Sequence, residues 1–156
     1  MSGPDNNLVS RVRAVATAYG LPTLEVRRTV KLGGDEFVEG TIGKVEIQFL
    51  RDRGQEEIWF PAPPWTTARR YVLEDVVVGL GWVDSPEEAD KLALTIPGGA
   101  TVESSLTFLA QRWSEFTVAI ASENEVCWRK IETAGKARTD QLWNRLGGRS
   151  GGRAIE

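Results

Sequence analysis

The sequence predicts an α+β fold: an N-terminal helix, a four-stranded antiparallel β-meander, and three to four C-terminal helices packed on the sheet. Three observations carry this. Val102, Leu106, Leu109, Trp113, Phe116 and Ile120 recur at spacings of three and four, the rhythm of an apolar helix stripe. Between Leu24 and Phe60 the rhythm is instead close to two, and short turn sequences interrupt it. Helix-start signals cluster before and after that stretch, not within it.

Asn6 or Asn7 is placed to cap a first helix over Leu8–Tyr19, with Leu8, Val12, Val15 and Tyr19 on its apolar side. Arg11 and Arg13 are expected on the opposite side. Gly20 and Pro22 end the helix. In the first strand Leu24, Val26, Val30 and Leu32 alternate with charged or polar residues, and Arg28 interrupts the apolar face. Gly33-Gly34-Asp35 makes a turn. The second strand covers Glu36–Ile42, with Gly40 as a bulge or weak point. The third covers Lys44–Leu50, with Val45, Ile47 and Phe49 on one face. Asp52-Arg53-Gly54 turns into the fourth, Gln55–Phe60. Tight connections favour a meander, and its apolar face needs a cover that only the helices can supply.

Pro61-Ala62-Pro63-Pro64-Trp65 reads as a stiff linker out of the sheet. Thr66 or Thr67 is placed to cap a helix over Ala68–Leu80 that stops at Gly81. Ser85-Pro86-Glu87-Glu88 starts a short helix, and Leu92–Ile96 fits either helix or strand. Thr101 caps the striped helix, with Glu103 in its first turn. Ser122-Glu123-Asn124-Glu125 begins another, which Gly135 is placed to break and Thr139 or Asp140 to restart, burying Leu142, Trp143 and Leu146. Residues 1–148 read as one domain, and 149–156 as a flexible glycine-rich tail.

Composition narrows the function classes. There is no histidine, which removes the commonest general base and zinc ligand. The net charge of −3 is too mild to argue for nucleic acid or membrane across the whole surface. The single cysteine, Cys127, forms no disulfide within the chain and reads as a small buried apolar residue. The first residues lack the layout of a signal peptide, and no apolar run is long enough to span a bilayer, so a cytoplasmic protein is expected. Of the six tryptophans, about four are expected in the core.

Most motif chemistry dissolves on inspection. Gly40-Thr41-Ile42-Gly43-Lys44-Val45 lacks the upstream glycine and the hydroxyl of a phosphate loop. The acids Asp84, Glu87, Glu88 and Asp90 read as a helix start, or as an acidic patch meeting a basic partner. The bases Arg129, Lys130, Lys136, Arg138, Arg145, Arg149 and Arg153, with Trp143 among them, give the second reading, a phage or mobile-element accessory protein that binds host machinery or nucleic acid through a basic C-terminal helix. No catalytic, cofactor or metal-binding residue is assigned, so the chain reads as a binding protein and not an enzyme. An enzyme working through carboxylates such as Glu87 and Asp90 is the third reading. The candidate interface residues are Trp65, Asp52, Glu56, Glu57, Asp84, Glu87, Glu88 and Asp90.

The order of parts also resembles small actinobacterial immunity-type proteins of polymorphic toxin systems. The residues concerned are Arg53-Gly54-Gln55-Glu56 with Trp59-Phe60, then Leu73-Glu74-Asp75-Val76 with Leu80-Gly81, then the run from Phe108 to Glu115. The likeness spans roughly residues 20–145 and assigns no single family. It implies a cytoplasmic α+β protein that binds and blocks a cognate toxin, through surfaces that no motif fixes.

Overall fold

The structure, a computed structural model, describes residues 7–83 and 101–146. It is α+β. Helix α1 (Leu8–Ala18) precedes strands β1 (Leu24–Leu32), β2 (Asp35–Ile42), β3 (Val45–Asp52), β4 (Gln55–Pro61) and β5 (Arg70–Val72). Helices α2 (Leu73–Gly79), α3 (Val102–Ala110), α4 (Trp113–Ala119) and α5 (Glu125–Arg145) follow. The sheet is an antiparallel meander in the order β1-β2-β3-β4-β5.

The fifth strand corrects the expected count of four. Residues 68–72 were expected to open a helix, but the chain turns back after the prolines and pairs Tyr71 with Phe60 and Val72 with Trp59. Three residues are too few to show a period of two, so the strand leaves no pattern. The turn before β4 follows its residue types: Arg53 and Gly54 both have positive φ (55° and 81°), which matches the twist of the flanking strands in a two-residue hairpin.

A bulge decides which side of the sheet β1 shows. Its register against β2 slips between Val26 and Arg28, opposite Gly40. The Glu25 carbonyl fills the place of a side chain there, 2.1 Å from where a Cβ on Gly40 would lie. The extra residue, Arg27, reverses the alternation. Leu24 stays on the core side opposite Ile42, but Val30 and Leu32 turn to the outer side beside Phe37 and Asp35. The apolar face expected for β1 is therefore split: Val30 and Leu32, 40% and 74% exposed, turn outward, while before the bulge Leu24 is buried and Val26, on the same side, is 37% exposed at the sheet edge.

The core lies between the other face of the sheet and the helices. Val38, Ile42, Ile47, Phe49, Ile58 and Phe60 meet Leu8, Val12, Val76, Leu106, Leu109, Phe116, Trp128 and Ile131. Asn7 caps α1 as expected, its Oδ1 accepting from the Val9 and Ser10 amides, and Thr101 caps α3. Tyr19 is corrected: it lies past the end of α1 and is 46% exposed. The striped helix is two helices, with Arg112 leaving helical geometry (φ −132°, ψ 37°) to lay its guanidinium 4.0 Å over the Trp82 ring. Gln111 and Arg112 are sound helix formers, so tertiary packing overrides propensity here. The stripe keeps its face, and Val102, Leu106, Leu109, Phe116 and Ile120 are all buried.

Helix α5 runs unbroken through Gly135. That glycine is a packing device: a Cβ would meet the Tyr71 ring at 3.0 Å. Gly79 does the same where α2 crosses α5, with Ile131 Cα only 2.6 Å from the Cβ position. Gly79→Ala is therefore expected to destabilise by about 2 kcal/mol through overpacking against backbone, read as a lower urea midpoint. The far end of α5 outruns the core. Leu142, Trp143 and Leu146, expected to be buried, are 46%, 59% and 70% exposed. Of the six tryptophans only Trp128 is fully buried; Trp82 and Trp113 pack partly buried against the core. Among the described residues no helix is long and apolar enough to cross a membrane.

Candidate functional site

One end of the sheet carries a charged row on its core side. Register places Lys31, Glu36, Arg51 and Glu56 side by side on β1 to β4. Each glutamate holds a helix. Glu36, 2% exposed, accepts from the Leu8 amide at the start of α1 (3.3 Å) and from Arg51 (3.1 Å). Glu56 accepts from the Val102 amide at the start of α3 (3.0 Å). Negative charge is favoured at both places because helix N-termini expose unpaired N–H groups. Arg11 of α1 then grips two carboxylates, Glu56 at 2.7 and 2.8 Å and Glu103 at 2.5 and 2.7 Å.

Burial pushes the Glu56 carboxyl up, but the hydrogen bonds from Arg11 and Val102 outweigh it, and its pKa is lowered overall. Arg11 also lowers Glu103. A carboxyl with a depressed folded pKa stabilises above its unfolded value of about 4.3 and loses that contribution as pH falls through the folded value. The melting temperature is thus expected to drop as pH falls below about 4, and to drop less steeply in Glu56→Gln. Equal slopes in the two proteins would remove Glu56 from the linkage.

The expected interface residues do not form one surface. Glu56 faces the core side and is committed to Arg11 and α3. Glu57, its neighbour, faces the outer side and accepts from the Trp59 indole (2.9 Å). Asp52 is exposed at the hairpin tip, 3.9 Å from Arg53. Trp65 sits beyond the other end of β4, about 20 Å away at the rise of an extended chain. It is 40% exposed, with Arg129 stacked 4.5 Å over its ring. Thr66 and Thr67, expected as helix caps, order the loop around Trp65. Thr66 Oγ1 donates to the Pro63 and Ala68 carbonyls, and Thr67 donates through N and Oγ1 to Glu132. The Thr67 bonds, with Arg129, hold the Glu132 carboxyl down at about 2. Asp84, Glu87, Glu88 and Asp90 lie outside the described residues, as do the Leu92–Ile96 segment and the 149–156 tail.

The basic C-terminal helix is partly neutralised. Arg129 pairs with Glu132 and Glu125, and Arg138 with the buried Asp75 (2.6 Å). A second reading built on a free cationic stripe loses two of its members.

The outer face of the sheet was not anticipated as a surface. No described helix covers it. One row across the strands is Val30, Phe37, Leu50 and Glu57; the next is Arg28, Glu39, Gln48, Trp59 and Val72. Arg28 lies 5.2 Å over the Phe37 ring, and Arg70 4.5 Å over the Trp59 ring. Gln48 links the two ends, accepting from Arg70 (2.8 Å) and donating to Glu39 (3.0 Å). The aromatic rings are therefore held in place by a polar lattice while remaining partly open to solvent. The charges are mixed: Arg27, Arg28 and Arg70 stand against Glu39, Glu46 and Glu57.

These features define an α+β protein whose antiparallel sheet is covered on one face by the described helices. No family model, no curated protein and no solved structure matches the chain.

Proposed function

We propose that the chain is a non-catalytic protein-binding module that works by covering a surface of its partner, and that the outer face of the sheet is where it does so. The observation that carries this reading is the ordered set Phe37, Leu50 and Trp59 on a face that no described element covers. Aromatic and arginine side chains are the types that dominate binding energy at protein interfaces. Their rotamers are restrained in advance by Arg28, Arg70, Gln48 and Glu57, which lowers the entropy lost on binding. The balanced charge of the face suits a protein better than a phosphate backbone, which needs a cationic excess.

The finer reading is an immunity protein in the cytoplasm, its partner a toxin domain whose active site it occludes. The order of parts shared with immunity-type proteins supports this, as does a chain with one cysteine and no histidine.

The test is capture of the partner on the immobilised chain from the native host, followed by titration of the purified pair. The Phe37→Ala/Trp59→Ala double variant should weaken the complex by at least about 2 kcal/mol, as expected for interface anchors. Trp65→Ala should leave it within about twofold, since the Trp65 ring is stacked with Arg129 of α5 and is not one of the rings on the outer face. Loss of affinity on Trp65→Ala alone would move the surface to the loop before β5. Inhibition of an activity of the captured protein by stoichiometric chain would support the immunity reading.

A further inference from the structure

The meander has two edges of very different character. β5 closes one side with three residues, whereas among the described residues no strand pairs with the other side of β1 along its nine. Alternation determines which backbone groups of β1 face outward. The hairpin closes on the Leu32–Asp35 pair across a two-residue turn, so Leu32, Val30 and Arg28 turn their N–H and C=O groups toward β2. Thr29 and Lys31 turn theirs away. Beyond the bulge Val26 and Leu24 also face away, and there Arg13 donates to the Leu24 carbonyl (3.0 and 3.2 Å). Among the described residues, the other outward groups of β1 have no hydrogen-bond partner.

Edges are guarded against pairing by short length, proline, bulges or charged side chains; β1 carries a bulge at Arg27, and its cations deter a like-charged strand but not an acidic one. β1 is long, has no proline, and exposes Val26, Val30 and Leu32. Its charge is one-sided: Arg27, Arg28 and Lys31 lie on the strand and Arg13 lies behind it, against Glu25 alone. Arg27 reaches Glu39 and Glu46 at 3.6 and 3.7 Å and Arg28 reaches Glu39 at 3.7 Å, long pairs that leave the arginine side chains 52% and 62% exposed. A second copy matches this edge less well than an acidic strand does. Antiparallel pairing of two β1 strands about Arg28 would set Arg28 against its own counterpart with Arg27 beside it, and only Glu25 opposite Lys31 would compensate.

We infer that the free edge of β1 takes an extended, acidic segment of the partner as a sixth strand, joining the sheet beside the aromatic face; this rests on the protein-binding reading above. The backbone of Val26, Thr29 and Lys31 supplies the ladder. Val30 and Leu32 supply apolar contacts, and the arginines and Lys31 select carboxylates.

The probe is a blocked, fluorescein-labelled peptide of β1's length alternating valine and glutamate, followed by anisotropy with the full chain. The acidic peptide should bind, and its valine–lysine counterpart should bind at least about tenfold more weakly. Thr29→Pro removes an outward N–H without touching the β1–β2 ladder, and should cost at least about tenfold in affinity; Thr29→Val should change it less than about twofold. Should Thr29→Pro fail to fold, Lys31→Glu tests the same edge through charge alone and should again cost at least about tenfold. No binding of the acidic peptide, or equal binding by Thr29→Pro and by Lys31→Glu, overturns the inference. So does a dimer in sedimentation that Thr29→Pro dissociates, because a second copy would then hold the edge. A captured partner that depends on Trp59 but ignores Thr29→Pro and Lys31→Glu overturns the edge inference alone and leaves protein binding by the face intact.

Discussion

Arg11→Met is expected to lower stability by about 3–5 kcal/mol, the cost of stranding a buried charge. The Arg11 and Glu56 side chains are 16% and 9% exposed. Removing the guanidinium leaves the Glu56 carboxylate with the Val102 amide as its remaining partner and with Glu103 close by as a like charge. Three elements lose a common tie, because Arg11 is on α1, Glu56 on β4 and Glu103 on α3. Much of the loss should return in Arg11→Met/Glu56→Leu, since a packed apolar pair in such a place often matches the ion pair it replaces. Urea unfolding of the single and double variants at neutral pH makes the comparison. A single variant within about 1 kcal/mol of the parent would mean that the pair is solvated like a surface bridge.

Trp128→Ala is expected to cost about 3–5 kcal/mol, the usual range for emptying a buried aromatic site. Trp128 is 2% exposed. Its indole N–H donates to the Ile120 and Ala121 carbonyls at 3.2 and 3.1 Å, so the ring also satisfies the end of α4. Its ring also lies beside Tyr71 on β5, with ring centroids 6.4 Å apart. One side chain thus joins α5, the α4 terminus and the sheet edge. Trp143→Ala on the same helix should fall within about 0.5 kcal/mol, because Trp143 is 59% exposed. Equal losses for the two would contradict the packing of α5.

The two tryptophans show what the sequence could and could not reveal. Both lie on one helix with apolar neighbours at helical spacing, and Trp143, expected inside, is the exposed one. Periodicity marks a face; it does not say how far along a helix the core extends. The same limit applies to β1, where alternation marked Val30 and Leu32 as buried but one extra residue at Arg27 turned them outward. Gly40 announced the bulge; which strand carried it was not legible.

Other features were legible and passed over. Arg11 lies three residues after Leu8 and four before Val15, on the flank of the apolar stripe and not opposite it. Glu36 is in phase with Val38 and Ile42, and Glu56 with Ile58 and Phe60, so both glutamates had to point to the core side. A charged residue in phase with a buried row calls for a partner, and two helix starts provided it. The outer face was harder to see. Phe37, Leu50 and Trp59 lie on three strands and meet only through register, which no single stretch of sequence contains. β5 was hidden for a related reason: its three residues pair because the loop through Thr66 and Thr67 is tied to α5 by Glu132, a contact 65 residues distant in the chain.

The most direct test of binding at the sheet face is a map of backbone amide NMR shifts in the chain as the captured partner is added. Binding by this face predicts the largest changes at Val30, Phe37, Leu50 and Trp59 and along the β1 edge, with α1 and α3 little affected. Changes centred instead on the open groove of ≈ 410 Å³ beside Ala14, Ala18, Tyr19 and Glu103, with the sheet unmoved, would contradict it.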